Sequence, residues 1–350
     1  MCPKRKPIST AALVLLTFGL CIGELDAQSS SEDPPLTLRV ESSLVLVDVI
    51  AQQADPATRG QKLLPALKKE DFRLFDDGHE VPISSFDAGW TGTARPVSLW
   101  LIVQCDEHRP VSWASQFIKG KTQYLKPAFA LMSNESQVGV AHWCDDGTAE
   151  IDSPLNHDPA PALLKLDEVL ASKGDQHADD RTGQLAMQRM IRKVLSNAKD
   201  VAPMSSPVLL FLHGDHTGTL VAEAEAILRD LSTVNAMVFG LNDGGWRFDP
   251  RAVRWGPETE YLVHYYSELT GGQVYSTGDA KLYANALSYI FAQLRVRSTL
   301  GFVPASHDTQ LHNLKVQLSD EAQKRLPKTT LQFRQHYRLS KSDDPTGMFD

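Results

Sequence analysis

The sequence predicts an α/β protein: a doubly wound, mostly parallel sheet in mid-chain, joined to a β-sandwich built from strands at both chain ends. Three observations carry this. Val97 to Val103 is a near-continuous apolar run of strand length, the pattern of a strand buried on both faces. From there to about Arg297, strand-length apolar runs alternate with helical apolar stripes, as successive βαβ units do. Strand-like runs also precede and follow this stretch, and neither group is large enough to bury a core alone.

The chain has 350 residues and a formal net charge of -8. That length fits one large domain with a smaller companion. A mildly acidic balance without basic clusters argues against nucleic acid and anionic membrane surfaces as partners. Lys4, Arg5 and Lys6 precede an apolar run from Ala11 to Ile22, too short for the roughly 20 residues of a bilayer span. Leu25-Asp26-Ala27 offers a small residue for cleavage, so residues 1–27 are expected to be a signal peptide. A lipoprotein signal ending at Cys21 and an uncleaved anchor are the rival readings. The mature chain is then exported, periplasmic or secreted, with no membrane span. Of four cysteines, Cys105 and Cys144 remain after cleavage, in a compartment that permits pairing.

Taken in order, Gln28 to Pro35 reads as a polar leader and Leu36 to Ile50 as a strand. Gln52 to Gly60 reads as a turn region. Phe72 to Phe75 and Val81 to Phe86 read as a hairpin around Asp76-Asp77-Gly78. These first strands occupy residues 36–90, and Ala88 to Ala94 is a linker. The α/β domain spans 95–297. Its strands are Val97–Val103, Val138–Trp143, an antiparallel edge at Thr148–Ile151, Val208–Leu212, Ala236–Leu241 and Gln273–Ser276. Between them, the clearest helix carries Met187, Met190, Ile191, Val194 and Leu195 on one face. Another ends at Gly271 and Gly272. Residues 298–340 hold three strand-like runs, Ser298–Val303, Leu311–Leu318 and Thr330–Leu339, with no helix expected between them. They are the natural partners for the N-terminal strands.

Several short patterns, in order, resemble the von Willebrand factor type A-related proteins of acidobacteria. They are Leu44-Val45-Leu46-Val47-Asp48-Val49, then Lys69-Glu70-Asp71-Phe72 with Asp76-Asp77-Gly78 and Ile83-Ser84-Ser85-Phe86. Leu269-Thr270-Gly271-Gly272 and Leu294-Arg295 through Leu300-Gly301-Phe302-Val303-Pro304 complete the series. The resemblance implies the von Willebrand A fold with strand order 3-2-1-4-5-6. It also implies a metal-ion-dependent adhesion site, made of Asp-x-Ser-x-Ser after the first strand, a Thr from a second loop and an Asp from a third. Such a site gives a hard cation its oxygen ligands and leaves a position for a partner's carboxylate. Here Gln104 stands at the first Asp position, Asp106 and His108 at the two Ser positions, Thr182 at the Thr position and His213 at the third-loop Asp. Amide and imidazole in place of carboxylates remove the charge that holds Mg²⁺, so a degenerate site without metal is expected.

Other readings of the same residues stand beside this one. Asp106, His108, His213, Asp215 and His216 are of the types that suit zinc or another transition metal, or they form a solvated loop cluster. Cys105 and Cys144 end neighbouring strands at a spacing a disulfide accepts, or they are two buried free thiols. Trp246, Arg247, Arg251, Arg254 and Trp255 lie in one long loop, as residue types that anchor interfaces, or as a loop folded on its own aromatics. No Gly-x-Ser-x-Gly elbow, phosphate loop, His-Glu-x-x-His or dinucleotide fingerprint is present in the sequence. The expected function is therefore a non-catalytic, exported protein-interaction module without a cofactor. Divalent-cation-dependent adhesion, a His/Asp transition-metal protein and a hydrolase are the alternatives.

Overall fold

The computed structural model describes residues 44–55, 60–64, 67–89, 95–105, 122–144, 146–171, 180–202, 205–212, 221–242, 262–276 and 280–340. The expected signal peptide lies outside them.

Strand β1 (Val45–Asp55) pairs with β2 (Gly60–Leu63). A 3-10 turn at Lys69–Asp71 leads into β3 (Phe72–Asp76). Asp77 and Gly78, with φ of 45° and 83°, turn the chain into β4 (His79–Val81). Two consecutive left-handed residues match the twist a tight hairpin needs, which is why Asp-Gly serves here. β5 (Ser85–Ala88) does not continue that hairpin. The expected single strand from Val81 to Phe86 is broken at Pro82, whose missing N–H cannot join a ladder, and β5 pairs in a different sheet.

The central layer begins with β6 (Val97–Cys105). It continues through α1 (Lys126–Phe129), β7 (Gln137–Cys144), β8 (Ala149–Asn156), α2 (Pro159–Ala171) and α3 (Asp180–Val201). Then come β9 (Ser206–Leu212), α4 (Val221–Thr233), β10 (Met237–Asn242), α5 (Leu262–Thr270), β11 (Val274–Ser276) and α6 (Ala280–Val296). The sheet runs β11-β10-β9-β6-β7-β8. Counted along the chain, that is 6-5-4-1-2-3, the doubly wound order. Only the β7–β8 pair is antiparallel. β6 shows why its sequence lacks polar alternation. Leu99, Leu101 and Val103 pack in one core with α2 and α6, while Trp100 and Ile102 pack in the other with α3, α4 and α5.

The chain ends with β12 (Ser298–Phe302), β13 (His312–Leu318), α7 (Asp320–Arg325), β14 (Thr329–Phe333) and β15 (His336–Tyr337). Two sheets mix strands from both chain ends: β14-β1-β12-β5 with β2 beside β1, and β15-β13-β3-β4. Val47, Leu74, Leu300, Phe302 and Val316 share the core between them. Two sequence expectations change here. The helix α7 stands between β13 and β14, capped by Ser319, whose hydroxyl accepts from the Ala322 N–H at 3.4 Å. The run from Thr330 to Leu339 is two strands, because Arg334 and Gln335 leave the ladder. β1 also runs further than expected at its C-terminal end, past Ile50 to Asp55. It continues through Gln52, which is buried because its face meets α6, where the Tyr289 hydroxyl donates to its side-chain oxygen at 3.1 Å.

Candidate functional site

The parallel strands β6, β7, β9 and β10 end along one edge, where a doubly wound sheet places its sites. Gln104, the penultimate residue of β6, is buried at 7 % exposure, and its side-chain oxygen has no hydrogen-bond partner among the described residues. One residue on, Cys105 stands opposite Cys144 in the β6–β7 register, and Cys144 is disulfide-bonded. Beyond Cys144 the chain turns tightly. The Asp146 carboxylate accepts from the Thr148 N–H at 2.7 Å, and that bond holds it below its usual range. Gly147 has φ of 96°, and a Cβ there would stand 3.0 Å from the Thr182 methyl on α3. Arg189 of the same helix donates to the Gly147 carbonyl at 2.6 Å. The second-loop threonine is thus half-buried against the turn that follows β7.

Two of the five expected metal-site positions, Gln104 and Thr182, are therefore described, and both converge on this edge. Their oxygens are neutral, so this pair does not suit a hard dication, whose affinity grows with ligand charge. Asp106, His108 and His213, with Asp215 and His216, lie outside the described residues. So do Trp246, Arg247, Arg251, Arg254 and Trp255.

At the junction of the central layer and the sandwich sits a charge network that the sequence reading did not find. Asp48 of β1 is buried and accepts from Arg95 at 2.6 Å, Arg297 at 3.2 Å and the Thr299 hydroxyl at 2.5 Å. Burial pushes its carboxyl up, but Arg297, Arg95, Thr299 and Arg334 outweigh that and hold it below the usual carboxylate range. One charge inside the apolar run of β1 was the available signal; its partners lie far away in sequence.

A second group was read only as a turn. Asp76, Asp77 and His312 offer ligand atoms within 4.8 Å of one another. A histidine with two carboxylates is a donor set that suits a transition metal. The donors are largely engaged already. His312 Nδ1 meets Asp77 at 2.8 Å, its Nε2 meets Asp308 at 3.1 Å, and the Tyr337 hydroxyl donates to Asp76 at 3.0 Å. Burial lowers the His312 pKa, but the two aspartates prevail and raise it. The group works as an imidazolium clamp holding the β3–β4 turn to the loop before β13.

The strand order, with its antiparallel edge strand β8, decides the architecture. The central layer has the von Willebrand A fold. No family model matches the chain, and no curated protein matches it. Among solved structures, the chain is similar to BatB from Bacteroides thetaiotaomicron, at 12% identity over 57% of this chain and 98% of that one, with a TM-score of 0.35. An aerotolerance-related membrane protein from Bacteroides fragilis shares 12% identity over 56% of this chain and 99% of that one, with a TM-score of 0.34. A von Willebrand factor type A protein from Catenulispora acidiphila shares 9% over 87% and 76%, with a TM-score of 0.39. The fold assignment rests on the strand order and not on these likenesses. No helix of the described residues is long and apolar enough to cross a membrane.

Proposed function

We propose that this chain is an exported, non-catalytic protein-binding module. Its partner docks on the C-terminal edge of the central sheet, with the Trp246–Trp255 loop contributing, and needs no metal ion or cofactor. The observation that carries the reading is Gln104. It is a neutral amide, buried and with its oxygen unpartnered among the described residues, at the position where the family resemblance calls for the first carboxylate of a metal-dependent adhesion site. The absence of hydrolase and nucleotide-binding motifs from the sequence supports a binding role over catalysis. Pairing of Cys105 with Cys144 belongs to the same reading, because it would fix the two strand ends that frame the edge.

Two measurements test this. Titration calorimetry with Mg²⁺, Ca²⁺ and Zn²⁺, joined to elemental analysis of the purified protein, should find no stoichiometric ion; one bound ion per chain would overturn the metal-free reading. Capture of a partner from periplasm or culture medium should survive EDTA and be lost in Thr182→Arg and in Trp246→Ala. Capture unaffected by both substitutions would place the contact surface elsewhere.

A further inference from the structure

We propose that a groove at the opposite, N-terminal edge of the central sheet binds a small oxyanion, a carboxylate or phosphate group carrying a short apolar substituent. The groove has a volume of about 380 Å³. Arg95 and Ser206 place it at the starts of β6 and β9, and Asn235 places it just before β10. Three arginines line it, Arg95, Arg334 and Arg338, with Leu46 and Leu339 among its apolar walls. None of its described lining residues is acidic.

The charge balance around the groove asks for an anion. Arg95, Arg297 and Arg334 surround Asp48, the one buried carboxylate among them. Arg95 and Arg297 contact it directly. Arg334 does not. Its Nη1 donates to the Ser232 carbonyl at 3.1 Å and its Nη2 to the Leu46 carbonyl at 2.5 Å, while Nε has no partner among the described residues. Arg334 is only 6% exposed. Burial lowers its pKa to about 10, and the pull of Asp48 does not offset that. Arg95 reaches a second carboxylate, Asp87, at 3.4 Å, but that group is half exposed and screened. A buried guanidinium without a carboxylate of its own is costly unless a counter-charge is supplied. Guanidinium donors match the planar edge of a carboxylate and the face of a phosphate. The leucine walls favour a ligand with an apolar substituent next to its charge.

The groove lies on the edge away from Gln104 and Thr182, so this inference stands or falls independently of the partner surface. Titration calorimetry on the full exported chain, at ionic strength fixed with chloride, would use sodium phosphate, acetate and hexanoate as probes. The expected result is one saturable site per chain, with hexanoate tighter than acetate; phosphate against acetate identifies the head group. Asn235→Asp adds a negative charge to the groove at a residue with φ of 52°, a backbone conformation that aspartate also tolerates. It should weaken binding about tenfold or more, whereas Lys165→Gln on α2 should leave it unchanged. Should Asn235→Asp fail to fold by circular dichroism, Arg338→Gln takes its place with the same expectation. No saturable heat from any probe, or equal binding by the folded groove variant, overturns the proposal.

Discussion

Asp48 and Arg297 meet at 3.2 Å with each side chain 2% exposed, although 249 residues separate them. The contact ties β1, in the sandwich, to the chain leaving α6. Asp48 also holds Arg95 at the entry to β6, so one carboxylate pins both connections between the layers. Asp48→Asn should therefore lower unfolding stability by about 3–5 kcal/mol, the usual cost of stranding a buried charge. Urea denaturation followed by circular dichroism measures it. Glu80→Gln, which breaks an exposed pair with Arg73, serves as the control and should leave the midpoint unchanged. Comparable losses in both variants would refute the pinning role.

The glycines that close α5 show a different cause. Gly271 has φ of 81°, and a Cβ there would stand 2.6 Å from the Phe333 backbone at the end of β14. A Cβ on Gly272 would stand 1.8 Å from the Val238 carbonyl of β10. The first glycine lets the sandwich close on the helix terminus, and the second lets the same terminus reach the central sheet. Gly272→Ala should cost above about 4 kcal/mol, in the range kept for forced backbone movement. Gly271→Ala should cost less, with the strain placed at β14. Thermal unfolding ranks the two, and a wild-type melting temperature in Gly272→Ala would contradict the close approach.

What was legible in the sequence follows from how local the signals are. β6 could be read because burial on both faces leaves an apolar run, and the α3 stripe because Met187, Met190 and Ile191 all face one core. α7 was missed because six residues carry no apolar stripe; its signals were the Ser319 cap, acidic Asp320 and Glu321 in the first turn and basic Lys324 and Arg325 in the last. The last residues of β1 were missed because Gln52 and Gln53 look like a loop until α6 covers one of them. At the candidate site, Gln104 and Thr182 came from the resemblance. The arginines around Asp48 had no sequence signal, since nothing local shows that Arg95, Arg297 and Arg334 converge. The same holds for Asp77 and His312, 235 residues apart.

Histidines shape the pH profile near neutrality. His264 is buried on α5, and burial alone lowers its pKa from 6.5 to about 4. The unfolded chain takes up this proton first, so stability is full above about pH 6.5 and falls as pH drops towards 4. His312 and His142 have the opposite sign. Asp77 and Asp308 raise the first against its burial, and the hydrogen bond to Asp152 raises the second. Their contributions are full below about pH 6.5 and are lost as pH rises through the folded values. Melting temperature should therefore peak near pH 6.5. His312→Gln should flatten the alkaline limb and leave the acid limb in place. An alkaline limb of unchanged slope in that variant would show that the clamp does not titrate as described.

The last prediction concerns the strand ends that frame the proposed partner surface. Cys144 is disulfide-bonded and Cys105 is the residue opposite it. Adjacent strands lie about 4.8 Å apart, within the Cα separations a disulfide accepts. If these two are paired, the native chain, denatured without reductant, should give no reaction with a thiol probe, and Cys105→Ser should expose one reactive thiol at Cys144. Reduction should lower stability by about 4 kcal/mol, the chain-entropy value for a bond closing a loop of roughly 40 residues. The loss should be read alongside partner capture. If the bond acts at the edge and not only on the unfolded chain, the reduced protein should bind its partner more weakly at temperatures where it remains folded. Full reactivity of both thiols in the untreated protein would remove the pairing and, with it, the covalent frame of the site.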